Sequence, residues 1–212
     1  MKSNVCKIEK GIKDLEAILE ESEKVAVYNR LDRKQTLQLR LLCEEIDGML
    51  PNIIDDFDGA LWFDFEDGVC KVNVSIDIPE LNADKKEELI SIARDKKNSA
   101  AVGIAGKIRD AIETFIMDEE SMAILAMSSG SFGGATGYSD GVDYEFLWRL
   151  EEYRDSVKKE EKTEAWDELE KSVIASVADD VIVGVKGKRA DIIIVDDKIN
   201  VINTILGGEI RF

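Results

Sequence analysis

Apolar residues recur at Val5, Ile8, Ile12, Leu15 and Leu19 in steps of three and four, which predicts an amphipathic helix over residues 5–24 with a charged outer face. Asp32, with Gln35 three residues on, predicts a capping box that opens a second helix, and Pro51 ends it. On that helix Leu39, Leu42, Cys43, Ile46, Met49 and Leu50 share one face. Glu44 points away from the stripe, while Glu45 falls about 100° from Ile46, at its margin.

The period then changes from helical to alternating. Leu61-Trp62-Phe63-Asp64-Phe65 and Cys70, Val72, Val74, Ile76 flank Asp67-Gly68, a hairpin that ends at Asp77 before Pro79. Asn82-Ala83-Asp84 opens a helix to about Ile92, and after the polar stretch 94–99 a further helix carries Ala101, Ile104, Ala105, Ile108, Ala111, Ile112 and Phe115 on one face. Residues 128–141, SSGSFGGATGYSDG, hold five glycines and four serines and predict a flexible loop. Val142, Tyr144, Phe146 and Trp148 alternate with charged residues as a half-buried strand. Charges dominate from Glu151 to Glu164. A helix with Trp166, Leu169, Val173 and Val177 on one stripe follows, then strands at 181–186 and 190–196 around Gly187-Lys188, and a final strand is expected over 199–205. Interleaved helices and hairpins predict an α+β sandwich of one sheet covered by helices.

Asp191-Ile192-Ile193-Ile194-Val195 is apolar at consecutive positions and must be covered on both faces. Two arrangements satisfy it. Residues 151–212 form a helix-plus-strands appendage to a domain over 1–150 and build a homodimer, or the strand joins the main sheet.

Composition narrows the chemistry. There are 28 Lys+Arg against 45 Asp+Glu, a net charge of −17, and no histidine. Triads and metal sites built on imidazole are therefore excluded, and a general base must be a tuned carboxylate or lysine. The negative field opposes nucleic acid and anionic membranes, leaving a protein as the expected partner. With 44% hydrophobic residues the chain can bury a core, yet its apolar runs are far shorter than the ~20 residues a membrane helix needs. Met1-Lys2-Ser3-Asn4 leads into a charged pattern instead of a signal-peptide core, so a cytoplasmic location is expected. Cys6, Cys43 and Cys70 have no CxxC spacing and read as reduced thiols, Cys43 and Cys70 buried and Cys6 the most reactive.

The order of these elements, a helix with an acidic margin, a hairpin ending in aspartate, a short helix, a polar stretch and a glycine-bearing helix, resembles the two-layer sandwich of the histidine-kinase-like (GHKL) ATPase superfamily. Over residues 33–150 the chain is similar to its anti-sigma-factor serine kinases. It is more closely similar to uncharacterised bacterial proteins with segments like LCEEIDGML, KKNSAAVGIAGKIRD and AWDELEKSVIASVADDV. The resemblance implies a catalytic role for Glu45, adenine recognition by Asp77, and phosphate binding by Gly103 and Gly106, with ATP and Mg²⁺ as cofactors. It also shows where the pattern breaks. The metal-binding asparagine expected four residues after Glu45 is Met49, and from Glu44 the same step reaches Gly48; neither offers the oxygen a hard cation requires. The glycines after the family's aspartate are replaced by Pro79 and Leu81. Each residue also has a plainer reading: Asp77 as a polar strand end, Glu45 as a solvated helix flank, and the two glycines as sites of close helix packing. The expectation is a non-catalytic regulatory or scaffolding protein without cofactor on a degenerate ATPase fold. The alternative is an ATP-binding serine kinase.

Overall fold

The computed structural model describes residues 1–9, 15–53, 57–66, 68–77, 103–116, 135–139, 141–159, 166–167, 169, 172–197 and 199. The elements are β1 (Cys6–Glu9), α1 (Leu15–Tyr28), α2 (Arg33–Ile53), β2 (Asp58–Glu66), β3 (Val69–Asp77), α3 (Gly103–Ile116), β4 (Ala135–Ser139), β5 (Val142–Arg149), α4 (Leu150–Lys159), α5 (Val173–Val177), β6 (Asp180–Lys186) and β7 (Arg189–Asp196). The helix expected over 82–92, the stretch 94–99, the segment 128–134 and the strand over 199–205 fall almost wholly outside the described residues.

The seven strands form one sheet in the order β1-β2-β3-β7-β6-β5-β4, with every neighbouring pair antiparallel. The fold is α+β. Alternation sets one face against the helices: Leu61, Phe63, Cys70, Val72, Val74, Ile192, Ile194, Val181, Val183, Phe146 and Trp148 pack with Ile18, Leu39, Leu42, Ile46, Ile104 and Ile108 in a single core. The capping box forms as the sequence predicts. Asp32 Oδ1 accepts from the Gln35 amide at 2.8 Å, and Gln35 Oε1 accepts from the Asp32 amide at 3.0 Å.

Four expectations are corrected. Residues 6–9 are strand, not helix, because the amino-terminal segment pairs along the free edge of β2, with the Ser3 amide on Phe63 O and the Phe65 amide on Met1 O. Residues 135–139, inside the Gly/Ser segment, are an edge strand on β5, which supplies the backbone partners that composition did not announce. The stripe from Trp166 to Val177 is broken at Ser172, which is extended in backbone and whose Oγ caps a new helix by accepting from the Ala175 amide. Most consequentially, β7 pairs with β3 and β6 with β5, so the carboxy-terminal strands are central members of the main sheet and not an appendage. The run 191–195 is covered on both faces, as its composition requires.

Candidate functional site

Glu45 lies half-buried on α2 at the margin of the stripe. Met49, four residues on, is 6% exposed and packs in the core, and Gly48 faces outward with nothing within 4 Å of where a Cβ would stand. Asp77 is exposed at the end of β3, in register with Asp58 on one side and Arg189 on the other. Gly103 begins α3 and Gly106 is buried in its first turn. The helices carrying Glu45 and the two glycines are packed side by side, with Ile104, Ile108 and Ile112 joining Leu42, Cys43 and Ile46 in one core.

A different constellation forms on the sheet face opposite the helices. A cleft of about 440 Å³ there is lined from β2, β3, β7 and β5 together with Lys2. β2 and β5 stand four inter-strand spacings apart, roughly 19 Å on a flat sheet, so their sharing of one cleft means that this face is concave.

Two carboxylates organise it. Asp64 Oδ2 accepts from Trp62 Nε1 at 2.9 Å and from Asn73 Nδ2 at 3.2 Å. Asp191 is buried; its Oδ2 accepts from the Tyr144 hydroxyl at 3.0 Å and its Oδ1 from Arg189 Nε at 2.8 Å. Lys2 Nζ stands 4.7 Å from the Trp62 ring centroid, a cation on an aromatic face.

Tyr144 reaches this face only because β5 is bulged. Its register against β4 shifts between the pairs Ala135↔Leu147 and Gly137↔Tyr144, and the extra residue turns Tyr144 away from the core face that Phe146 occupies. This corrects the single alternating face expected for Val142 to Trp148. The ring then lies on Gly184 of β6, where a Cβ would come within 2.5 Å of Tyr144 Cδ1 and Cε1. Bulge, glycine and hydroxyl thus combine to place one phenol against Asp191.

The lining charges cancel, Lys2, Lys71 and Arg189 against Asp64, Glu66 and Asp191, in a chain of net charge −17. The cleft is therefore less repulsive to anions than the average surface. Nucleophilic thiols are absent from the described core: burial pushes the Cys43 thiol up to about 12, and burial reinforced by the neighbouring Asp196 charge holds Cys70 well above the ordinary thiol value.

Among the described residues, Asp179, Asp196 and Asp197 bring their carboxylate oxygens within 4.8 Å of one another, the hard donors Ca²⁺ or Mg²⁺ takes. Oxygens of Asp179 and Asp196 already serve the fold. Asp196 accepts from Gln38 Nε2 at 2.6 Å and from the Ile199 amide at 3.3 Å, and Asp179 from the Asp197 amide at 2.8 Å.

The cleft residues escaped the sequence reading because Trp62, Asp64 and Asn73 occupy alternate strand positions that look solvent-facing. The available signal was Asp191, a carboxylate at the head of an otherwise apolar run. No family model, curated protein or solved structure matches the chain.

Proposed function

We propose that this protein is a non-catalytic regulatory or scaffolding module that works by binding, with the concave-face cleft as its recognition site. One observation carries the reading: two of the three lining carboxylates, Asp64 and Asp191, are each held by hydrogen bonds from two side chains. Carboxylates so held are fixed in place and order the surface around them.

The two-layer sandwich of the histidine-kinase-like ATPase type, with a vestigial nucleotide site, remains part of the proposal. The adjacency of α2 and α3 over one sheet face supports it. Met49, packed in the core where that family has a metal-binding side chain, supports loss of the Mg²⁺ site, and Asp77, exposed at a strand end, supports loss of the adenine contact. The partner in this reading is a protein, approached by a surface that excludes polyanions.

Thermal unfolding with and without Mg-ATP, alongside a phosphate-release assay, tests it. A nucleotide at one hundred times its Kd adds ~2.7 kcal/mol, a shift of several degrees in a domain this size. The expected result is no shift and no turnover. Mg-dependent turnover that disappears in Glu45→Ala would instead establish the serine-kinase alternative.

A further inference from the structure

We infer that the cleft takes a small carboxylic acid with a planar apolar body; this rests on the cleft being the recognition site. Its volume of about 440 Å³ falls within the range of ligand pockets, about 300–1,000 Å³. The sign of the ligand's charge follows from Arg189. Among the lining carboxylates, Asp191 takes one bond from Tyr144 and one from Arg189, Asp64 takes both of its bonds on Oδ2, and Glu66 is exposed at the end of β2. Arg189 engages Asp191 through Nε, which leaves its Nη groups for an anion.

Arg189 supplies the shape. Asp191 accepts its Nε–H and is itself anchored by Tyr144, so the plane of the guanidinium is fixed, while the side chain keeps 54% of its surface exposed. A guanidinium held through Nε presents its Nη groups as a fork, which a planar carboxylate matches with two parallel hydrogen bonds. The body of the ligand has the half-buried Trp62 ring, one face of it taken by Lys2, and the half-buried side chain of Val142 to lie against.

The test is isothermal titration calorimetry with indole-3-carboxylate, indole-3-carboxamide and 3-(aminomethyl)indole on the full chain. The acid should bind at least tenfold more tightly than the amide, about 1.4 kcal/mol, and the amine should be weakest. Arg189→Gln should erase the difference between acid and amide, and Trp62→Leu should weaken both; unchanged melting of Arg189→Gln confirms that it folds. Equal binding of acid and amide, or an acid preference that survives Arg189→Gln, overturns the ligand class. Amide or amine binding that Trp62→Leu removes would leave the cleft as a site with the class wrong. Binding by none of the three would end the small-ligand inference, while the reading of the cleft as a protein recognition site stands or falls separately.

Discussion

Replacing Gly184 with alanine should be among the most damaging small changes in the sheet, and the reason lies in one side chain. The new Cβ would stand 2.5 Å from Tyr144 Cδ1 and Cε1 and 2.7 Å from Cγ, against the ~3.5–4.0 Å of an ordinary carbon contact. The ring must retreat by about 1 Å or more. It is nearly fully buried and tied to Asp191 through its hydroxyl. Overpacking costs about 1–3 kcal/mol and loss of a hydrogen bond to a carboxylate about 1.5–3 kcal/mol, offset by about 0.5–1 kcal/mol from alanine's smaller backbone entropy loss. The net expectation is a loss of about 1.5–5.5 kcal/mol. In a Tyr144→Ala background the obstruction is gone, so Gly184→Ala should be neutral or slightly stabilising, a coupling of about 3 kcal/mol. Urea unfolding of the four proteins, followed by circular dichroism and tryptophan fluorescence to check for coincident transitions, measures it. Tyr144→Phe separates the hydroxyl from the ring. If Gly184→Ala costs the same with and without the tyrosine ring, the packing argument is wrong.

Three further outcomes are expected. Cys43 and Cys70 should react with thiol reagents only as the protein unfolds, since both are buried with their thiols held up by burial, whereas half-buried Cys6 on the edge strand should label first; fast modification of all three would contradict the core assignment. Burial works to raise the Glu21 carboxyl, yet the backbone and side-chain amides of Asn4 and then Lys24 outweigh it and hold the group below its ordinary value of 4.5. Its stability contribution is therefore present above that value and lost as pH falls through the folded one, so Glu21→Gln should flatten the acid limb of a stability-versus-pH curve, and an unchanged limb would refute the linkage. Arg30→Gly should stabilise by roughly 1 kcal/mol, because Arg30 closes α1 at φ 54 with Arg30 N on Val27 O and Leu31 N on Ala26 O, a turn that favours glycine; a lower urea midpoint would count against it.

Local chemistry is what the sequence exposed. The Asp32–Gln35 box, the hairpin around Gly68 and the pair of strands around Gly187 each depend on residues within a few positions of one another, and each is found where it was expected. The errors share a cause. Cys6–Glu9 is too short to show a period, and its identity comes from pairing with β2, about fifty residues away in the chain. Ala135–Ser139 has loop composition and becomes a strand because β5 offers it an edge. The cleft was the least legible part, since it needs the register of β2, β3 and β7 together, and a bulge that reverses one tyrosine. The helices of Glu45, Gly103 and Gly106 pack side by side.

The place of the β6–β7 hairpin also constrains how the chain is made. Val72 pairs with Ile194, 122 residues later, and β7 is the strand through which β1-β2-β3 joins β6-β5-β4. On the ribosome the two halves are synthesised early, yet each waits with an open, apolar inner edge, β3 on one side and β5 on the other, until the hairpin emerges to fill the gap. Such late, non-local closure makes folding slow and leaves the nascent chain dependent on protection from edge-to-edge association. It also means that a nonsense mutation or proteolytic cut before residue 180 removes the keystone of the sheet, so quality-control machinery would meet two unmatched half-sheets in place of a shortened but folded protein.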